Sequence, residues 1–277
     1  MIHPMTVTGH YETQDLAGRV ARAMDAAGIG SGPIQWSDTA PFDQFHVRGA
    51  AATEELAAAL APEAGSRVLD VGCGLGGPAR YLASVYTCQV TGVDLTPSFI
   101  DVARMLTERA GLTDRVQCMQ GDALDLQFGD GAFDHAWTQH VAMNIRDRDR
   151  LYREIRRVLR PDGRLAIYDI IEGNGQPLTF PVPWARDAGD SFLVSGDAMR
   201  QSLAAAGFAE LSWTDTTDAG IAWFAEQQAA RASGTPGPLL GLQITMGHAF
   251  QGMAANLASN LAGGRVRIVR TIVRRTA

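Results

Sequence analysis

The chain has 277 residues, is 46% hydrophobic, and carries 24 Lys+Arg against 30 Asp+Glu, which gives a formal net charge of −6 at pH 7. This acidic balance excludes a general electrostatic attraction for nucleic acid or anionic lipid. All 24 basic residues are arginines, so lysine Schiff bases, a pyridoxal phosphate anchor and a P-loop lysine are also excluded.

Cysteine usage and the N-terminal stretch predict the compartment. Cys73, Cys88 and Cys118 form no C-x-x-C pair and no zinc spacing, so the sequence predicts no metal site. Residues 1–14 lack the basic start and apolar run of a signal peptide, and no segment approaches the ~20 consecutive apolar residues of a membrane span. We therefore expect a protein of the reducing cytoplasm without membrane insertion.

Two helices and a long loop are predicted before residue 65. Residues 15–29 have helical spacing, with Leu16, Val20 and Met24 on one face. Residues 30–49 form a loop punctuated by glycine and proline, and residues 51–62 form a second helix.

Strands and helices then alternate up to residue 172. The pattern predicts strands at 67–72, 89–95, 115–123, 133–141 and 164–172, and helices at 77–86, 97–112 and 147–161. Strands separated by helices of this length are typical of a parallel, doubly wound α/β sheet.

The alternation breaks after Glu172. Residues 173–192 form a proline-rich, aromatic loop, and loops of this length tend to be functional. A helix (195–208), a strand (209–217), two helical segments (222–232 and within 238–264) and a strictly alternating, antiparallel strand (265–275) follow. We expect one domain: N-terminal lid helices (1–64), a cofactor-binding core (65–172), acceptor-side cap elements (173–262) and the last strand (263–277).

A glycine-rich loop follows the first predicted strand of the core. Gly72, Gly74 and Gly77 satisfy the G-x-G-x-x-G fingerprint, which allows backbone to approach a nucleotide-type ligand closely. Asp94 ends the second strand, at the spacing of the acid that hydrogen-bonds ribose hydroxyls. Its alternative role is a helix N-cap or a solvated turn.

Asp70 discriminates between a cofactor that carries a pyrophosphate and one that carries positive charge. A buried carboxylate is costly unless it meets a positive group, and beside a pyrophosphate it would repel. S-adenosylmethionine carries an ammonium and a sulfonium and no phosphate. Asp122, after the third strand, is suited to accept the adenine amino group.

The stretches "VLDVGCGLGG", "VTGVDLT", "GDALDLQFGDGAFD" and "REIRRVLRPDGRLAIYDI" together resemble the class I S-adenosylmethionine-dependent methyltransferases. The resemblance covers about residues 65–171 and is closest to the branch with quinone C-, glycine/sarcosine N- and natural-product O-methyltransferases. It implies a Rossmann-like, seven-stranded sheet with a reversed last strand, and methyl transfer by in-line displacement to a small-molecule acceptor.

The resemblance also implies cofactor contacts. Gly72, Cys73 and Gly74 would line the methionine end with Gln139 beside it, Asp94 and Leu95 would hold the ribose, and Asp122 and Ala123 would contact adenine. The loop containing Gln44, Phe45 and His46 corresponds to the family segment that closes over the cofactor.

The acceptor side is less defined by the sequence. His140 follows the fourth strand and is a candidate to orient or deprotonate the acceptor, or else a neutral core histidine. His46, on the lid, is a second candidate. Related O-methyltransferases often carry histidines where this chain has Met143 and Asn144. Asp169 is another possible acceptor-side polar group.

Aromatic residues of the cap predict an apolar or aromatic acceptor, with ordinary packing as the alternative. The expected lining is Phe180–Trp184, Phe192, Trp223 and the 246–253 face.

Two other functions stay open beside methyl transfer to oxygen, nitrogen or carbon. One is a non-catalytic module that binds S-adenosylmethionine. The other is a nicotinamide-dependent oxidoreductase, against which Asp70, Asp122 and the missing Tyr-x-x-x-Lys argue. The oligomeric state is not predicted.

Overall fold

Buried hydrophobic runs form the strands of the structure, a computed structural model that describes residues 15–234, 240–247 and 249–276. The strands are β1 (Arg67–Val71), β2 (Gln89–Asp94), β3 (Val116–Gln120), β4 (Phe133–Gln139), β5 (Leu159–Glu172), β6 (Phe208–Asp215) and β7 (Val266–Arg275). They form one seven-stranded sheet of order β3-β2-β1-β4-β5-β7-β6.

Strand direction confirms the predicted topology. Strands β1 to β5 pair in parallel, and β7 lies antiparallel between β5 and β6. Because β1 pairs with both β2 and β4, the chain changes direction across the sheet at β1. Ligands of such sheets bind in the crevice at the carboxyl ends of the strands beside this switch point.

Helices cover the sheet on both faces. They are α1 (Leu16–Ala26), α2 (Trp36–Asp43), α3 (Ala50–Leu60), α4 (Gly77–Val85), α5 (Pro97–Arg109), α6 (Arg148–Val158), α7 (Gly196–Ala205), α8 (Thr217–Ala232), α9 (Gln243–Met246) and α10 (Phe250–Ala262). Within the described ranges, no helix is both long and apolar enough to cross a lipid bilayer.

Several element boundaries differ from the sequence prediction: for example, α8 begins at Thr217 rather than at residue 222. Two of the differences have a visible cause. Helix α2 lies inside the predicted loop, although Pro41 is within it; a capping box between Gln35 and Asp38 begins the helix, and Phe42 is buried. Helix α6 ends at Val158 rather than Pro161, because Leu159 already pairs with Phe133 across the sheet.

The predicted apolar face of α1 is buried. Leu16, Val20 and Met24 form one hydrophobic cluster with residues of α5 that include Phe99 and Leu106. Since α5 begins directly after β2, this packing holds the N-terminal segment beside the crevice.

A fully buried ion pair joins α2 to α4. Arg80 Nη2 lies 2.7 Å from Asp43 Oδ2, and neither side chain has solvent exposure. Arg80 Nη1 also donates to the Ala103 carbonyl at 3.3 Å. Burial raises the pKa of Asp43, while the Arg80 guanidinium opposes that shift.

Replacing Arg80 with methionine is expected to cost about 3–5 kcal/mol of unfolding free energy, because it leaves the Asp43 carboxylate buried and uncompensated. The double variant Asp43→Leu/Arg80→Met is expected to recover most of that loss, since both charges are then absent. Urea denaturation followed by circular dichroism measures both. Equal destabilisation in the single and double variants would contradict this interpretation.

Candidate active site

The carboxyl ends of β1, β2 and β4 open into a cavity of about 750 Å³, called the first cavity below. Among its lining residues are all but one of the residues assigned to the cofactor or to catalysis from the sequence: Phe45, His46, Asp70, Gly72, Cys73, Gly74, Asp94, Leu95, Asp122, Ala123, Gln139 and His140. Gln44 lies instead on a second cavity.

The glycine loop and Asp94 fix each other. Gly72 and Gly74 have φ of 73° and 53°, the left-handed region that glycine adopts without strain. The Gly74 amide donates to Asp94 Oδ2 at 2.9 Å, and the Thr96 amide donates to Oδ1 at 2.9 Å. A carboxylate has about four acceptor sites, so Asp94 can still accept from ligand hydroxyls.

Gly77 has a different reason to be glycine. A Cβ atom there would lie 2.4 Å from Asp43 Oδ1 and 2.6 Å from the Asp43 carbonyl oxygen. The third glycine of the fingerprint therefore lets the end of α2 pack closely on the start of α4. The buried Asp43–Arg80 ion pair joins the two helices at this contact.

Asp70 is the most unusual charge of the first cavity. Its side chain is 2% exposed, and Oδ2 has no hydrogen-bond partner among the described residues. Burial raises the pKa of Asp70 well above its ordinary value, and Cys118 and Asp94 add to the shift. An unpartnered buried carboxylate at a cavity wall is suited to a cationic ligand.

The second cavity has a volume of about 1430 Å³ and lies between α2, α8 and α10. Phe45, His46 and His140 line both cavities. The two histidines are close, with ring centroids 6.0 Å apart. These three side chains therefore form the boundary at which ligands of the two cavities can meet.

His140 is held by its backbone and by stacking. Its φ is 54°, which is uncommon for a residue with a side chain, and its amide donates to the Tyr168 carbonyl at 2.8 Å. The ring stacks on Tyr168 at a centroid distance of 5.3 Å. Nε2 of His140 has no partner among the described residues. Strained backbone of this kind clusters at functional sites.

His46 belongs to a polar network. Its Nε2 lies 3.0 Å from the Gly49 carbonyl, 3.0 Å from Thr53 Oγ1 and 3.1 Å from Gln139 Nε2. Burial lowers the pKa of His46 to about 4. Burial, with a smaller effect of His46, lowers the pKa of His140 well below its ordinary value. Both imidazoles are therefore neutral at pH 7.

The cap lines the second cavity only in part as expected. Trp184, Trp223 and Phe250 lie on it, whereas Phe192 lies on the first cavity and Phe180 packs against the core. Asp169 lies on neither cavity; its carboxylate is buried and accepts from the Ala142 and Ile170 amides.

Two buried residues of the site were not predicted. Tyr168, in the middle of an apolar strand sequence, is indistinguishable from a core residue. Thr53 lies in an alanine-rich helix and reaches Gln44, His46 and Gln139 only through tertiary contacts.

Comparison with known proteins identifies methyltransferases as relatives of this chain. A methyltransferase domain model matches residues 69–167. Methyltransferase GfsG of Streptomyces halstedii is 40% identical over 157 residues, which are 57% of this chain and 56% of that protein. The O-methyltransferase resE of Aspergillus sclerotiorum is 33% identical over 211 residues, 74% of this chain and 79% of that protein.

Solved structures share the fold. The [4+2]-cyclase SpnF superposes with a TM-score of 0.66 at 25% identity, covering 93% of each chain. Geranyl diphosphate C-methyltransferase from Streptomyces coelicolor A3(2), in complex with Mg²⁺, geranyl-S-thiolodiphosphate and S-adenosyl-L-homocysteine, gives a TM-score of 0.72 at 20% identity and covers 99% of each chain.

The chain belongs to the methyltransferase family. It spans just over half the length of the first of these curated relatives, GfsG.

Proposed function

We propose that this protein transfers a methyl group from S-adenosylmethionine to a small-molecule acceptor in the cytoplasm. The observation that supports this most directly is the pair of cavities that share Phe45, His46 and His140 as a common wall. A two-substrate transfer needs such a boundary, because proximity and orientation supply much of its acceleration.

The residues of the first cavity fit the cofactor. Asp70 offers a buried negative charge to its cationic end, Asp94 offers acceptors to ribose hydroxyls, and Asp122 lies farther along the wall with Ala123. Gln139, at the end of β4, faces the same space beside His46. When bound, S-adenosylmethionine supplies the methyl group from its sulfonium and is released as the neutral thioether.

His140 is the proposed base or orienting group for a protonated acceptor atom. Its neutral ring faces both cavities, and Nε2 makes no hydrogen bond to a described residue. His46 is the second candidate, fixed more firmly by its hydrogen bonds. The second cavity, with Trp36, Trp184 and Trp223 on its wall, supports an apolar or aromatic acceptor.

A non-methylating role is the second candidate, and one observation favours it: the cyclase SpnF shares this fold over nearly the whole chain. The protein would then bind S-adenosylmethionine without transferring its methyl group. S-adenosylmethionine with a trideuteromethyl group separates the two. Incubation with a broad metabolite extract is expected to give a product that carries the label. Retention of all label in the cofactor, with the cofactor bound, would favour the second role.

A further inference from the structure

Gln44 lines the second cavity, whereas its neighbour Asp43 lines the first cavity and its neighbour Phe45 lines both. It follows α2 directly, and its side chain is 2% exposed. The residue forms part of the wall of the second cavity and is absent from the wall of the first. Gln44 is therefore placed toward the acceptor rather than toward the cofactor.

A hydrogen bond from Thr53 orients the Gln44 amide. Thr53 Oγ1 lies 3.0 Å from His46 Nε2, which in turn lies 3.0 Å from the Gly49 carbonyl and 3.1 Å from Gln139 Nε2. The Thr53 hydroxyl, which is fully buried, donates to Gln44 Oε1 at 2.6 Å. Oε1 is thereby committed to Thr53, and the amide nitrogen points elsewhere.

The amide nitrogen of Gln44 has no partner. Nε2 is buried and makes no hydrogen bond to any described residue. Buried amide donors without a partner are uncommon in native structures, where nearly all such groups are hydrogen-bonded. A donor left without a protein partner beside a cavity is suited to an acceptor atom of a ligand.

The rest of the second cavity's wall carries little charge. Its described charged residues are Arg48, which donates two hydrogen bonds to the Glu55 carboxylate, and the exposed Arg231. Among the described residues, no aspartate or glutamate lines the second cavity. Four further glutamines do: Gln227, Gln228, Gln243 and Gln251. A charged substrate group entering this space would lose water, and the largely buried Arg48 is already paired with Glu55.

We propose that the second cavity takes a large, uncharged, oxygen-bearing acceptor, and that Gln44 Nε2 donates a hydrogen bond to a carbonyl or ether oxygen near the methylated atom. The volume of about 1430 Å³ exceeds the usual ~300–1,000 Å³ of ligand pockets and leaves room for a large molecule. Gln44 is a specificity residue in this scheme, and Thr53 is a positioning residue that acts through it. The proposal rests on the proposed methyl transfer.

The test uses four probes on protein saturated with S-adenosylhomocysteine. Two are neutral macrolactones that differ only in a ketone beside one hydroxyl, present in the first and reduced to methylene in the second. The other two, sarcosine and phosphoethanolamine, are charged. Calorimetry is expected to show binding of both neutral probes, tighter for the ketone, and none of the charged ones. Binding of charged probes alone, or of no neutral probe, would overturn the proposal.

Variants then locate the hydrogen bond. Gln44→Leu is expected to weaken binding of the ketone probe about tenfold and binding of the methylene probe hardly at all, because only the ketone offers an acceptor oxygen. Thr53→Val is expected to weaken binding of the ketone probe by a smaller factor. Thr53→Ser, which keeps the hydroxyl, is expected to bind this probe as the wild type does. Gln201→Leu, at an exposed position of α7 that lines neither cavity, is the matched control. Equal losses for both neutral probes in Gln44→Leu would contradict a direct bond.

Failure of this proposal is distinguishable from failure of the proposed function. An unchanged affinity for S-adenosylhomocysteine in Gln44→Leu shows that the fold and the first cavity are intact. If wild-type protein does not bind S-adenosylhomocysteine at all, the proposed function fails. If it binds but discriminates against neither charge nor the missing ketone, only the acceptor proposal fails.

Discussion

Asp70→Asn is expected to weaken the binding of S-adenosylmethionine by roughly a hundredfold while it stabilises the ligand-free protein. In the complex, the carboxylate would face a positive group inside a closed space, and truncating one partner of such a pair costs about 2–5 kcal/mol. Without ligand, the same carboxylate is buried with Oδ2 unpartnered. Removing its charge is therefore expected to add about 1–3 kcal/mol to the unfolding free energy at pH 7.

The pH dependence of this gain has a defined sign. Burial raises the pKa of Asp70 in the folded chain, so the folded state binds a proton more readily than the unfolded state. The wild-type protein therefore becomes relatively more stable as pH falls toward the ordinary Asp pKa, and the advantage of Asp70→Asn shrinks. Urea denaturation at several pH values measures this difference.

Two ligands indicate which cation Asp70 faces. S-adenosylhomocysteine keeps the ammonium but lacks the sulfonium. Equal losses of affinity for both ligands in Asp70→Asn indicate the ammonium, and a larger loss for S-adenosylmethionine indicates the sulfonium. Asp114→Asn, an exposed site outside both cavities, is the matched control. Unchanged affinity for both ligands would contradict the role given to Asp70.

His140→Ala is expected to lower kcat by about 10²–10⁴-fold with an acceptor that loses a proton, the usual range for a general base. Binding of S-adenosylhomocysteine is expected to change little, because the base acts on the acceptor. His135→Asn is the control, since His135 lies within β4 and lines neither cavity. Near-normal turnover of His140→Ala would exclude the base role.

The pH profile of kcat/KM gives a second readout for the same histidine. A base acts in its neutral form, and burial lowers the pKa of His140 well below the ordinary value. We therefore expect activity to stay nearly constant from about pH 8 to about pH 6, where an unperturbed histidine would already be largely protonated. A half-loss of activity near pH 6.5 would show that the catalytic group titrates like an exposed histidine.

The sheet and the first cavity could be predicted because their signals are local. The conformation of a buried strand that ends in a glycine loop, such as Val68–Gly77, is determined by residues adjacent in the sequence. Parallel strands then bring Asp70, Asp94 and Asp122 to one edge of the sheet. The same rule predicted the position of His140 after β4. Such residues are brought together by topology alone.

The remaining features depend on contacts between distant segments. Pro41 argues against a helix at α2, and the burial of Phe42 and the buried Asp43–Arg80 pair, which offset it, both depend on contacts with other segments. Neither Gln44 nor Thr53 carries a sequence signal for its hydrogen bond, because the bond requires α3 to pack beneath the loop after α2. Asp169 ends up away from both cavities because the Ala142 and Ile170 amides bind its carboxylate.

A crystal structure of the protein with S-adenosylhomocysteine tests the central claim most directly. The ligand is expected in the first cavity, with its ammonium or sulfur nearest Asp70, its ribose hydroxyls on Asp94, and its sulfur facing the boundary formed by Phe45, His46 and His140. A ligand whose sulfur points away from His140, or one that occupies the second cavity instead, would contradict the assignment of the two cavities.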